Sequence, residues 1–251
     1  MRQKRRAIER LDFIVAGAQK CGTTALNYYL KRHRQIVLPN KKELHFFDND
    51  ELFAGDDVNY GLLHGQFSTA PLDCIAGENT PNYLYWPPVM QRIHQYNPLI
   101  KLIILLRNPI ERAFSQWNMQ RTRGIEPLGF TDALRAEPER LNSMPPQRLR
   151  KFAYLDRGRY AVQLARVFAC FPRDQILVLK YEAFRKQQQD VVNEVFHFLK
   201  LDPPRFRPVE AHNIPHQRKL RSDERAFALE LVREDIARVE EILGWDCSDW
   251  S

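Results

Sequence analysis

The sequence predicts an α/β fold built on a central, mainly parallel sheet with helices on both faces, and three observations carry the prediction. The apolar run Phe13–Ala16 ends in a turn bounded by Gly17 and Gly22 and re-emerges as a helix-like pattern. Lys101–Leu106 (KLIILL) and Ile176–Tyr181 (ILVLKY) are continuous runs without the alternation of a half-exposed strand, as expected where helices cover both faces. Strand-like and helix-like segments alternate through most of the chain, and such sheets bind ligands at the carboxyl ends of their strands.

In the first unit, Gly17 and Gly22 permit a tight turn and close backbone approach, and Thr23 stands where it can cap a helix running to about His33. The N–H groups at that helix start would point at an anion. The Gly17-x4-Gly22 spacing is that of a P-loop, yet Thr23 follows Gly22 where a nucleoside triphosphatase needs lysine, and the lysine stands earlier as Lys20. Taken by itself, the segment also reads as an ordinary strand–turn–helix junction. Ile36–Pro39 reads as a short strand delivering Lys41-Lys42-Glu43-Leu44-His45-Phe46-Phe47-Asp48 to the same sheet edge. Two lysines, a carboxylate and an imidazole are the ingredients of a general base held near developing negative charge, and the plain alternative is a solvated turn anchored by Phe46 and Phe47.

Residues 49–73 lack periodicity and read as a long connection with a short helix near Tyr60. Cys74–Glu78 fits a buried strand, Asn79–Tyr83 a turn, and Pro87–Tyr96 a helix with Pro88 near its start. Lys101–Leu106 ends in Arg107-Asn108-Pro109, and Pro109 opens a helix carrying Arg112, Ser115, Trp117 and Met119. A P-loop NTPase usually needs an acid at the end of a core strand to hold Mg²⁺, whereas Arg107 is a fixed cation suited to binding phosphate directly.

Residues 121–151 are polar, basic and proline-containing and read as a surface insertion or lid, with one or two helical turns at Thr131–Arg135. Tyr160, Leu164, Val167, Phe168 and Phe171 fall at helical spacing, so they are core first and ligand platforms second; Asp190–Leu199 is a further amphipathic helix. In the section Pro203–Arg221, Pro215 between His212 and His216 argues against a helical metal pair, and no metal site is expected. Ser222–Leu243 reads as a capped amphipathic helix stopped by Gly244.

The 251 residues, 44% hydrophobic, suffice for one large domain spanning 1–251. A net charge of +7 favours an anionic partner. The basic residues 1–10 read as a solvated tail; no aromatics are interleaved among them, so nucleic acid is not an expected partner. Cys21, Cys74, Cys170 and Cys247 are far apart and expected to be reduced thiols. No apolar run approaches the ~20 residues of a membrane span, and the chain reads as soluble and cytoplasmic.

The loop, the Lys42-Glu43-x-His45-Phe46-Phe47 cluster and the segment Arg107-Asn108-Pro109-x-x-Arg112-Ala113-x-Ser115, in that order, resemble the sulfotransferases that use 3′-phosphoadenosine 5′-phosphosulfate (PAPS). The resemblance runs from Phe13 to about Trp250 and is greatest to the branch holding the heparan sulfate N- and O-sulfotransferases and their soluble bacterial relatives. It implies a three-layer fold like that of the P-loop nucleotide hydrolases, PAPS as donor, its desulfonated form PAP as product, and no metal. It assigns Gln19, Lys20, Cys21, Gly22, Thr23 and Thr24 to the 5′-phosphosulfate, with Lys20 stabilising the departing oxygen, and Arg107 and Ser115 to the 3′-phosphate. Tyr160, within Arg157-Gly158-Arg159-Tyr160, would lie near the nucleotide, and Arg218 and Lys219 would belong to a late basic loop closing over it. Glu43 takes the place of the family's carboxylate base and His45 is the rival base; in an extended segment their spacing would put both on one face.

Asn79 stands where heparan-type enzymes often carry lysine, which counts against a polysaccharide acceptor, so the resemblance leaves a small-molecule or glycan acceptor, hydroxyl or amine, and an unknown oligomeric state. Two other classes compete. A P-loop kinase-like nucleotide enzyme is disfavoured by the position of Lys20 and by Arg107. A non-catalytic polyanion-binding module fits the charge of +7 but leaves the Glu43 cluster unexplained.

Overall fold

A computed structural model of the chain describes residues 4–55, 57–206 and 218–251. In order, its elements are β1 (Arg5–Arg6), β2 (Phe13–Gly17), α1 (Thr23–Leu30), β3 (Ile36–Val37), α2 (Gly61–His64), β4 (Ala70–Pro71), β5 (Ile75–Asn79), α3 (Val89–Tyr96), β6 (Lys101–Leu106) and α4 (Pro109–Thr122). There follow α5 (Phe130–Ser143), α6 (Pro146–Phe152), α7 (Tyr160–Cys170), β7 (Ile176–Lys180), α8 (Tyr181–Lys186), α9 (Gln188–Phe198) and α10 (Ser222–Leu243). Packing divides the chain into two compact units, residues 1–106 with 165–212 and residues 107–164 with 213–251. No described helix is long and apolar enough to cross a membrane.

The first unit holds a five-stranded sheet of order β3-β5-β2-β6-β7 in which every pairing is parallel. All five residues of β2 are buried, and in β6 every residue after Lys101 is too. A strand buried on both faces has no solvent side, which is why these two runs are continuous rather than alternating. Parallel pairing brings the carboxyl ends of β5, β2 and β6 to one edge: Val15 lies opposite Asn79 on one side and Ile103 on the other. Past β5 the chain turns over the end of β2, where Thr80 N donates to Val15 O at 3.2 Å and Leu84 N to Ala16 O at 2.8 Å.

Several local expectations change. The basic N-terminal stretch is not wholly a solvated tail, since β1 pairs antiparallel with β4 and Arg6 donates to Cys74 O at 3.0 Å. The 49–73 connection carries a 3₁₀ turn at Asp50–Phe53 as well as α2 near Tyr60. Within the second unit, 130–152 holds two helices rather than one or two turns. Phe130, Ala133, Leu134 and Glu137 form the buried face of α5. Its apolar stripe was hidden because its fourth member is a carboxylate, Glu137, which accepts from Leu155 N and Asp156 N at 3.0 Å each. Ser222 is the first residue of α10 rather than its cap; the cap position falls on Arg221, whose N–H donates to Glu224 at 3.1 Å.

Candidate active site

The phosphate-loop candidate leaves β2 at Gly17. A Cβ on Gly17 would lie 2.5 Å from Leu84 Cβ, so the residue is dictated by close approach of the covering segment. Ala18 N is held by Leu105 O of β6 at 2.7 Å. The helix cap is Gly22, not Thr23: Gly22 sits at φ 86°, and a Cβ there would meet the Tyr181 ring at 2.8 Å. Thr23 begins the helix; Gly22 has no side chain with which to cap it, and the first turn holds no acidic residue. N–H groups in a helix's first turn have no intrahelical acceptor and lie at its positive end, so this end suits an anion. Lys20 adopts the left-handed region at φ 70°. The Cys21 side chain turns inward and donates to Gln19 O at 3.7 Å, which leaves Thr24 as the exposed side chain of the helix start.

The second cluster follows β3. Glu43 N donates to Asn79 O at 3.1 Å, so the loop is pinned to the last residue of β5, the strand beside β2. The segment is not extended as expected, because Glu43 and His45 both occupy left-handed backbone at φ 64° and 54°. Each such residue costs ~1–2 kcal/mol, so tertiary contacts must hold the shape. The two side chains nevertheless approach, with Glu43 Oε2 3.8 Å from His45 Nε2. Lys42 Nζ lies 2.5 Å from Glu43 Oε1, and His45 Nδ1 lies 2.9 Å from Oδ2 of the fully buried Asp48. Hydrogen bonding to His45 and the Lys42 cation hold the Glu43 carboxyl down at about 2, against the opposing effect of burial. Hydrogen bonds to Asp48 and then Glu43 raise His45 to about 9. At neutral pH the pair is therefore carboxylate and imidazolium. Beside it, Lys41, Leu44, His45, Asn49, Leu62 and Gln66 help line a cavity of about 250 Å³.

Three further residues, Asp48, Asn82 and Tyr83, complete this network without a local sequence signal for their roles. Asp48 was visible only as the end of the cluster. Asn82 donates its side-chain amide to Asp48, and the Tyr83 hydroxyl accepts from Phe46 N at 3.1 Å and Phe47 N at 3.3 Å. Asn79 is buried, its side-chain amide donating to Thr23 O at 2.8 Å. Glu78 is fully buried, accepts from Thr80 Oγ1 at 2.9 Å and is pushed up to about 7 by desolvation.

In the second unit, Arg107 directly follows β6, and Asn108 caps α4 by accepting from Ile110 N and Glu111 N at 2.9 and 3.2 Å. Arg107 lies 3.7 Å from Glu111, which is also paired with Arg225. Ser115 is nearly buried within α4. Tyr160 has no exposed surface; its hydroxyl donates to Arg107 O at 2.9 Å, so the ring serves the core and the oxygen holds Arg107. Arg218 is bound to the Glu224 carboxylate by hydrogen bonds of 2.7 and 2.6 Å and lies 4.9 Å over the Trp117 ring, while Lys219 is exposed. His212 and His216 lie outside the described residues.

Comparison with known proteins gives the family. The family description "Sulfotransferase domain" matches residues 10–225. The bifunctional heparan sulfate N-deacetylase/N-sulfotransferase of Drosophila melanogaster is 28% identical over 208 residues, covering 76% of this chain and 20% of the relative. Human heparan sulfate glucosamine 3-O-sulfotransferase 5 is 30% identical over 197 residues, covering 77% of this chain and 54% of the relative. The chain thus spans about a fifth of the first and about half of the second. A sulfotransferase crystal structure from Alicyclobacillus acidocaldarius superposes with a TM-score of 0.80 at 29% identity, over 97% of this chain and 99% of that one. With the profile covering most of its length, the chain belongs to the sulfotransferase domain family.

Proposed function

We propose that this protein transfers a sulfuryl group from PAPS to a hydroxyl or amine acceptor, with Glu43 as general base. The observation that carries the reading is Glu43 itself. It is held ionised between Lys42 and His45, in a loop pinned to the carboxyl end of β5, the neighbour of the strand that ends in the phosphate-loop candidate.

The residues present fit the donor. The glycine-capped first turn of α1, which carries no acidic residue, and the Lys20 ammonium suit the 5′-phosphosulfate, and Arg107 with Ser115 suits the 3′-phosphate. Tyr160 acts through the Arg107 carbonyl it holds. Lys219 remains available to close over the nucleotide, whereas Arg218 is committed to Glu224. When bound, PAPS supplies an activated sulfuryl group whose bridging oxygen departs with the phosphate.

A carboxyl held near 2 is a weak base, and the chemistry tolerates this. As the acceptor oxygen bonds to sulfur its proton becomes strongly acidic, so Glu43 needs to accept it only late, while the S–O bond to the phosphate breaks and Lys20 offsets the charge left behind. His45, already an imidazolium, orients Glu43 and is not the base. The acceptor is a small molecule or a glycan. A cytoplasmic setting is part of the proposal.

Transfer from sulfur-labelled PAPS to a panel of sugar, alcohol and amine acceptors tests the reading. Glu43→Gln is expected to lower turnover by about 10²–10⁴-fold with PAP affinity intact. Label transfer that survives this change undiminished overturns the assignment of the base.

A further inference from the structure

The loop that carries Glu43 and His45 holds two non-glycine residues in left-handed backbone, so its shape is imposed from outside. Four of the hydrogen bonds that hold it come from one short segment, Asn79–Tyr83, with Arg92 adding another to Phe47 O at 2.8 Å. Asn79 O accepts from Glu43 N, the Tyr83 hydroxyl accepts from the N–H groups of both Phe46 and Phe47, and the Asn82 amide donates to the carboxylate of Asp48. Tyr83 and Asp48 have no exposed surface, and Asn82 is nearly buried. The same segment rides on the other half of the site: Asn79 Nδ2 bonds Thr23 O at the start of α1, and Thr80 N bonds Val15 O of β2. The phosphate-loop candidate and the Glu43 loop are thereby both referenced to one stretch of backbone.

We propose that Tyr83 and Asn82 are positioning residues, Tyr83 fixing the backbone of the Glu43–Asp48 loop and Asn82 fixing the carboxylate that orients His45. The inference rests on the proposed function for its kinetic consequence, though not for its structural one. Tyr83→Phe removes a single oxygen and keeps the ring, which packs edge-on to Phe47 at 5.6 Å, so the core contact survives. Two backbone N–H groups then lose their acceptor inside the protein, and the buried Glu78 carboxyl loses its hydrogen bond from the same hydroxyl.

The test uses the whole chain, with amide exchange and kinetics measured on the same preparations well below the melting temperature. In Tyr83→Phe, exchange at Phe46 and Phe47 is expected to quicken about ten-fold, the size of one ordinary hydrogen bond. The turnover number should fall by a similar factor while the KM for PAPS and calorimetric PAP affinity stay unchanged. Asn82→Ala is the second variant, with the same split between kcat and donor binding expected. Unchanged exchange at Phe46 and Phe47, or faster exchange with parental kcat in both variants, overturns the inference. Loss of donor affinity in step with kcat also overturns it, because it marks a general loss of structure. If the parent itself transfers no sulfuryl group, the functional proposal fails, and amide exchange alone then decides whether Tyr83 holds the loop.

Discussion

Nδ1 of His45 lies 2.9 Å from Oδ2 of Asp48, a carboxylate with no exposed surface, and this pairing sets the charge of the loop. A buried carboxylate is costly unless paired, so Asp48 favours the imidazolium, and the imidazolium in turn favours ionised Glu43. The Glu43 carboxylate, the proposed base, is kept unprotonated by its neighbour's partner.

This pairing makes stability depend on pH in a defined window. His45 titrates near 9 in the folded chain against 6.5 for the free group, so its contribution is fully present below pH 6.5 and is lost as pH rises through 9. The melting temperature of the parent relative to His45→Gln is expected to show an advantage at pH 6 that shrinks towards pH 10. A difference that grows with pH would contradict the pairing.

Lys42 supplies a second part of the depression of Glu43. Lys42→Ala should therefore move the acid limb of the rate–pH profile to higher pH, from near 2 towards the ordinary carboxylate range. An unmoved limb in that variant would mean that another group titrates there.

Glu78 gives a slope of the opposite origin. Its carboxyl is raised from 4.5 to about 7 by burial, so the folded state binds the extra proton and stability declines as pH rises between those values. The full effect is ~3 kcal/mol by linkage as an upper figure. Denaturant unfolding of Glu78→Gln between pH 4.5 and 7 is expected to lack this decline.

The Arg107 guanidinium shares Glu111 with Arg225. Arg107→Ala should weaken PAP binding by ~1.5–3 kcal/mol, the worth of a charged hydrogen bond, and Glu111→Gln should strengthen it modestly at low salt. Titration of each variant with PAP checks both signs.

What the sequence revealed follows the range of the interactions involved. β6 and the start of α4 were legible because a continuous apolar run and a proline at the first helical position are local signals. The cap of α1 was misplaced by one residue because threonine is the better capping side chain, while the turn needs the positive φ that glycine supplies. Glu43 and His45 were legible as a cluster, but Asn82 and Tyr83 meet it from 34 to 37 residues away, which no local pattern encodes. Arg218 read as a cation free for the donor because the carboxylate that binds it, Glu224, lies on the helix that follows.

Calorimetric titration of the chain in EDTA with PAP, adenosine 5′-phosphate and ATP decides whether it holds a metal-free site for a 3′-phosphorylated nucleotide. PAP is expected to bind without metal, the nucleotide that lacks the 3′-phosphate to bind at least about ten-fold more weakly, and that preference to be lost in Arg107→Ala. Tighter, Mg²⁺-dependent binding of ATP, or equal affinity for the two adenosine phosphates, would contradict it.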